Sequence, residues 1–271
     1  MTERALFASS SRIVDLTLLL AEELPCSWST HMPYQQKTFN YFVDRDSPEA
    51  PLRNHTGPYQ TRWLLIDEHT GTHVDAPAHF IPEEGSGLPH ASAAGAVTVE
   101  QIPLQQLMGP AVVVDIPKDL PGGAPGVSPA IDAPLLQRFE REHGVFRPGE
   151  VALFRSGWDA HYQPGAAGDD YCRNPMLLRT AQGWPAPDVS ALKLLVDRGV
   201  TCVGTDSTSM GSTHDGAPVH HFALGRRVAF IEALGNLSAL PVRGAYFCFA
   251  PLKLARGTGA PGRALAWVPA Q

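Results

Sequence analysis

The sequence predicts an α/β fold, a single domain over residues 1–271 built on a mixed, twisted β-sheet flanked by helices. Three observations carry that prediction. Apolar, β-rich runs outnumber helical segments; several of those runs are separated by helices; and 271 residues with 44% hydrophobic and 18% charged content suit one large domain with a sizeable core.

The elements follow in order. RIVDLTLLL (12–20) reads as a first strand. Residues 21–60 read as a long irregular loop, with Pro25, Pro33, Pro51 and Pro58 and the aromatics Trp28, Tyr34, Phe39, Tyr41, Phe42 and Tyr59. A loop of that length inside a compact domain is usually functional, a lid or a binding loop. TRWLLIDE (61–68) is a strand running directly into the stretch HTGTHVDAPAHF (69–80). AVVVDI (111–116) is a short buried strand, IDAPLLQRFEREH (131–143) an amphipathic helix with Pro134 in its first turn, and VALFRSG (151–157) a strand ending in glycine. DVSALKLLVDRG (188–199) is a helix, capped by Asp188, stopped by Gly199 and apolar along Leu192, Leu195 and Val196. VTCVGTD (200–206) is a strand and APVHHFAL (217–224) a short helix; RVAFIEAL (227–234) and AYFCFAP (245–251) are strands. No element is predicted after residue 251.

Composition excludes several function classes. The net charge is −6, with no basic run and no interleaving of aromatics with Lys or Arg, which argues against nucleic acid as a partner. No stretch approaches the ~18 apolar residues of a membrane helix. The N-terminus lacks a basic region followed by an apolar core, so no secretory signal is predicted. Cys26, Cys172, Cys202 and Cys248 lie far apart with no CxxC pair, which reads as reduced thiols in a cytoplasmic protein.

HTGTHVDAPAHF carries the chemistry. His69 and His73 are four apart, the spacing of helical zinc motifs, but Thr70, Gly71, Thr72 and Val74 are poor helix formers and Pro77 would break a helix. An extended reading fits better. His69, His73, Asp75 and His79 are all at odd positions, so they share one face wherever the chain is a strand. Gly71 and Pro77 leave room between them, and Thr70, Thr72, Val74, Ala76, Ala78 and Phe80 form an opposite face suited to a core. At about 6.6 Å between Cα atoms two residues apart, His73 and Asp75 can reach one ion. Imidazole and carboxylate are ligands for zinc or manganese, and an open position beside them allows an ion to polarise a carbonyl and lower the pKa of water. The plain alternative is a polar loop whose histidines only hydrogen-bond; four ligand-type groups on one face outweigh it.

Other groups are weaker. Glu232 ends an apolar strand, where a buried charge needs a partner, either a metal or an arginine such as Arg226 or Arg227. His220 and His221 point about 100° apart on a helix, so one of them faces any site. Asp206 reads as a backbone cap at a strand end, and His214, Asp215 and His161 as surface residues. Trp28, Phe39, Phe42 and Trp63 are candidate walls for an aromatic substrate, with core packing an equal account of Trp63. Ser156 and Ser190 lack a nucleophile-elbow context.

The pattern HxGTHxDxPxHF resembles the signature of the cyclase family of metal-dependent hydrolases, which includes kynurenine formamidase, isatin hydrolase and certain polyketide cyclases. IVDLT, LFRSGW (153–158), GTDSTS (204–209), PVHHFAL (218–224) and IEALGNL (231–237) are similar to further family blocks, so the resemblance spans roughly 12–250. It implies His69, His73 and Asp75 as metal ligands and His79 as the proton carrier. It also implies His220 and Glu232 as a second metal position in formamidase-like members. One or two divalent ions, Mn or Zn, are both open. The family fold is α/β with a mixed, strongly twisted sheet, in dimers or larger oligomers, which predicts a homodimer or homotetramer. The implied activity is hydrolysis of a C–N bond in a small aromatic amide or lactam, or the cleavage of a lactone. The long aromatic loop tilts the expectation towards an isatin-hydrolase-like member. A polyketide cyclase or dehydratase using the same metal, and a non-catalytic metal- or ligand-binding protein, are the alternatives.

Overall fold

The computed structural model describes residues 11–42 and 57–269. Its strands are β1 (Arg12–Asp15), β2 (Gln35–Asn40), β3 (Thr61–Leu65), β4 (His73–Asp75), β5 (Met108–Asp115), β6 (Ala130–Ile131), β7 (Val151–Arg155), β8 (Ala186–Pro187), β9 (Cys202–Thr205), β10 (Ala229–Glu232), β11 (Arg243–Pro251) and β12 (Gly259–Val268). The α-helices are α1 (Ala133–His143), α2 (Val189–Asp197) and α3 (Ala217–Leu224). Their starts follow local chemistry. Asp132 accepts from the Leu135 amide and Asp188 from the Ala191 amide, each satisfying a first-turn donor that the helix cannot. After α2 the chain leaves through Gly199 at φ +81°, a left-handed conformation in which glycine carries no steric cost.

The α/β class and the mixed sheet are as the sequence predicts, and helices flank the sheet. The sheet also closes on itself. β5, β7, β9 and β10 run parallel, with helices in the crossovers. β11 joins β5 antiparallel and β12 joins β11; β4 then pairs with β10 on one side and with β12 on the other, completing a seven-strand ring. β1 extends it along the far half of β12. The closing strand is the one the sequence reading lacks. Gly259, Pro261 and Gly262 interrupt its pattern, and two of its three partners, β4 and β1, lie far away in the chain.

Alternation divides each central strand. Ala111, Val113, Val151, Leu153, Cys202, Ala229 and Ile231 point into the ring, with Phe247, Phe249, Ala264 and Ala266 from the closing strands. Val112, Val114, Ala152, Phe154, Val203 and Phe230 point outward, where Leu135, Leu136 and Phe139 of α1, Leu192 and Leu195 of α2 and Val219 and Ala223 of α3 cover them. Glu232 is two residues from Phe230 and so projects to the helix side.

Two expectations are corrected. TRWLLIDE does not run into the sheet: β3 ends at Leu65 and pairs only with β2, as a separate two-stranded ribbon. The stretch 21–60 is therefore not wholly irregular, since β2 lies in it; its residues 43–56 fall outside the described residues. No helix among the described residues is long and apolar enough to cross a membrane.

One ion pair joins α1 to the end of α2. Arg198 donates from Nε and Nη2 to the two oxygens of Glu140 at 2.8 and 2.9 Å, and the Phe146 amide donates to the same carboxylate. These contacts, the arginine first, hold the Glu140 carboxyl below the usual range. A depressed folded pKa means that the stabilisation is present above the unfolded value of 4.5 and is lost as pH falls through the folded value. Arg198 is 40% exposed, so the pair is screened; Glu140→Gln is expected to cost about 1 kcal/mol at neutral pH. Denaturant titrations should show that difference vanish in acid.

Candidate metal centre

The centre sits on the outer face of the ring, where β4 meets β10 under α3. His73 is directly opposite Glu232 and Asp75 opposite Phe230, so both ligand-type residues of β4 and Glu232 share a face. Val74, between them, points into the ring. The odd-position rule therefore holds for His73 and Asp75, but the extended conformation does not span 69–79. Gly71 at φ +60° turns the chain before β4, and Pro77–His79 is a turn of 3₁₀ helix that starts on the proline. These turns, and not a continuous rail, bring His69 and His79 to Asp75; the rings of His69 and His79 stack at 3.9 Å. Ligand atoms of His69, Asp75 and His79, and likewise of His73, Asp75 and Glu232, lie within 4.8 Å of one another, and either trio could hold a metal ion. Phe80, expected on the core face, instead lines the cavity and stacks on His220 at 4.2 Å.

His220 faces the cluster and is 3% exposed. Its neighbour His221 turns away to stack on His90. His220 Nε2 lies 3.6 Å from Asp75 Oδ2 and 3.4 Å from Glu232 Oε1; His73 Nε2 lies 3.4 Å from Asp75 Oδ1 and 3.5 Å from Glu232 Oε2. Among the described residues Glu232 has no arginine partner. Arg226 lies over the Phe222 ring, and Glu232 accepts from the Met210 amide and Ser209 Oγ.

Hydrogen bonds decide which imidazole atoms face the carboxylates. His73 Nδ1 donates to the Gly71 carbonyl and His220 Nδ1 to the Gly216 carbonyl, both at 2.7 Å, which leaves each Nε2 as the lone-pair atom. Thr258 Oγ1 donates to Glu68 at 2.8 Å, so it accepts from His69 Nε2 at 3.2 Å and leaves His69 Nδ1 opposite Asp75 Oδ1 at 2.8 Å. In their neutral rings, the form a bound cation requires, these three nitrogens offer lone pairs beside two carboxylates, a donor set for a cation with the outer hydrogen bonds that ligand histidines require. The field shows in the acid–base behaviour of the chain without an ion. Burial opposes charge on His73 and His220, yet Asp75 and Glu232 outweigh it and raise them to about 9 and about 10. Burial also opposes ionisation of Asp75, but His79, His220, His69 and His73 hold its carboxyl well below the usual range. His79 is driven down to about 4, by burial first, against the pull of Asp75.

Several residues here escaped the sequence reading. Glu68 and Thr258 orient His69, and Glu68 also accepts from the Thr258 and Gly259 amides. Gly259 leaves room for the His69 ring. Trp184, 0% exposed, donates from Nε1 to the Gly211 carbonyl and packs edge-on against Trp28. The positional cue was weak for each: Glu68 stands beside the motif, but Thr258 and Gly259 follow the last predicted element.

A cavity of about 350 Å³ opens over the centre. Trp28, Phe80, Tyr162, Tyr171 and Met176 supply its apolar wall, and His31, Thr213 and His214 polar positions. Of the four aromatics predicted to wall a substrate pocket, only Trp28 lines it. Phe39 and Phe42 are exposed, and Trp63 is on the β2–β3 ribbon, because that ribbon packs apart from the ring. His214 and Asp215 are exposed, as expected, and stand at the cavity mouth. Asp206 is a buried cap, accepting from the Ser156 and Gly157 amides and Ser156 Oγ. His161 packs on Trp158 outside the cavity.

A closed α/β ring with a histidine–carboxylate cluster at the base of a cavity defines an α/β domain with a metal-type centre. The chain belongs to the cyclase family: a family model described as putative cyclase matches residues 14–212. It is 32% identical over 219 residues to isatin hydrolase of Roseibium aggregatum, covering 79% of this chain and 77% of that one. It is 28% identical over 208 residues to kynurenine formamidase of Salinibacter ruber, covering 74% and 77%. The structure of isatin hydrolase A from Labrenzia aggregata bound to benzyl benzoate superposes with a TM-score of 0.76 at 27% identity, covering 97% of this chain and 95% of that one.

Proposed function

We propose that this chain is a metal-dependent amidohydrolase that cleaves the C–N bond of an aryl formamide or cyclic amide, an N-formylkynurenine- or isatin-like substrate. The observation that carries the reading is the placement of three imidazole nitrogens, on His69, His73 and His220, against Asp75 and Glu232 at the base of a cavity with an aromatic wall. His69, His73 and Asp75 would hold a divalent ion, Mn or Zn, and His220 and Glu232 would help to hold a second where two bind. Such an ion supplies Lewis acidity towards the carbonyl and a water of lowered pKa. The chain's own residues do the rest. Trp28 and Phe80 hold the aromatic part against the centre. His79, stacked beside His69, takes a proton at a ring nitrogen from the attacking water and returns it to the leaving nitrogen. The walls exclude bulk water, which strengthens each charge interaction inside.

Isatin, N-formylkynurenine and an aryl lactone, assayed with the Mn²⁺- and Zn²⁺-loaded protein, test the reading by mass: hydrolysis adds one water, and cyclisation with dehydration removes one. A metal-replete protein silent on all three overturns it. Chelator treatment is expected to lower the melting temperature by about 5–10 °C, since an ion at a hundred times its Kd contributes about 2.7 kcal/mol to a chain of this size. A homodimer or homotetramer belongs to the proposal; the exposed Leu64, Phe39 and Phe42 of the ribbon region support it, and light scattering measures it. A reducing, cytoplasmic setting is supported by the free Cys26, Cys172, Cys202 and Cys248.

A further inference from the structure

Two imidazoles that line the cavity, His31 and His214, belong to none of the ligand groups, and His31 is the one beside the ligand motif. His31 lines the cavity beside Trp28 and His69, with its ring centroid 6.4 Å from each of theirs. Its amide donates to the Trp28 carbonyl at 2.9 Å, closing a turn that presents both side chains together. His31 Nδ1 lies 3.4 Å from Asp67 Oδ1, and the same oxygen accepts from the His69 amide at 2.9 Å. One carboxylate therefore lies beside His31 and anchors the start of the ligand motif. In the tautomer with the proton on Nδ1, the ring atom nearer the carboxylate, Nε2 on the far side of the imidazole is a lone-pair acceptor. This carboxylate–imidazole pair stands at the cavity wall next to a ligand histidine.

We propose that His31 is a substrate-binding residue whose Nε2 accepts the N–H of the scissile amide, and that this contact selects N–H amides and lactams over N-alkylated amides and over lactones. The assignment deepens the amidohydrolase reading and rests on it for the word scissile. It explains how a single centre able to polarise any carbonyl would favour nitrogen substrates: a lactone offers no donor, and an N-methyl group both removes the donor and meets the imidazole. A polar group left unpaired in a walled site weakens binding about 10- to 100-fold.

The test compares isatin with N-methylisatin in the wild type, His31→Phe and His31→Gln. Phenylalanine keeps a ring of similar size without the acceptor, so steric relief cannot imitate the result; glutamine restores an acceptor. His31 is about a third exposed, so neither replacement endangers the fold. Two readouts are taken: kcat/KM of the Mn²⁺-loaded enzyme, and the Kd of each compound for metal-free protein by tryptophan quenching. The wild type is expected to bind isatin about 10- to 100-fold more tightly than N-methylisatin. His31→Phe should lose that factor on isatin alone, in Kd and in kcat/KM, and His31→Gln should recover part of it. Equal losses on both compounds, or none on either, overturn the proposal. A wild type that binds with the stated preference but hydrolyses neither compound sinks the amidohydrolase reading and leaves His31 as the acceptor.

Discussion

Asp75→Asn is expected to abolish metal retention and hydrolysis together while the chain still folds. Asp75 is the hub of the centre: Oδ1 faces His69 and His73, and Oδ2 faces His220. Asparagine has the same shape, so the packing of Val74 and the pairing of β4 with β10 and β12 are untouched. What changes is charge and chemistry. Half of the amide becomes a donor, and one of two carboxylates that draw a cation into this buried place disappears. Loss of an outer hydrogen-bond partner of a ligand typically costs 10–100-fold in metal affinity or activity; loss of the central carboxylate should exceed about 100-fold in both. Elemental analysis of protein purified without added metal, beside kcat/KM on isatin, measures it. A melting curve in chelator separates a failed site from a failed fold. Asp75→Asn protein that keeps its metal within tenfold of the wild type would falsify the assignment of Asp75 as a ligand.

Gly259→Ala is expected to cripple the same site without touching a ligand. A Cβ at Gly259 would fall 2.5 Å from His69 Cε1 and 2.8 Å from the Val74 carbonyl. Val74 cannot retreat, because β4 is paired on both sides. The His69 ring must swing instead, which breaks its contact with Thr258 and misdirects Nδ1 from Asp75. A misplacement of about 1 Å in a reacting constellation costs on the order of 10²-fold in rate, and overpacking of this kind costs about 1–3 kcal/mol of stability. The expected outcome is a folded protein, a few degrees less stable, with kcat/KM down about 100-fold. Unchanged kinetics would show that His69 does not depend on the space this glycine leaves.

Legibility followed the range of the interactions involved. The start of α2 was readable because Asp188 bonds within three residues of itself. The shared face of His73 and Asp75 was readable because alternation is a property of one strand. The 100° step that separates His220 from His221 is likewise local. The extended rail over 69–79 was too long a reading: Gly71 and Pro77 were read as spacers, and in the fold they are the turns that aim His69 and His79. The aromatics were a further misreading, for hydrophobicity marks what seeks cover but not which surface provides it. Trp28 lines the cavity, while Phe39, Phe42 and Trp63 stay with a ribbon that pairs with nothing else in the described structure.

By itself, the sequence determined the α/β class, the positions of the three helices and the chemical kind of the centre, nitrogen and carboxylate ligands gathered around HTGTHVDAPAHF. These depend on residue type, short spacing and backbone conformation, which a chain carries with it. Only the tertiary structure decided that the sheet closes through β12, that Glu68 and Thr258, 190 residues apart, orient His69, and that His220 from α3 meets Glu232 from β10 across Asp75. Those contacts join groups that no local rule relates. Which of many possible pairings forms is set by burying the ring interior and satisfying its backbone hydrogen bonds all at once.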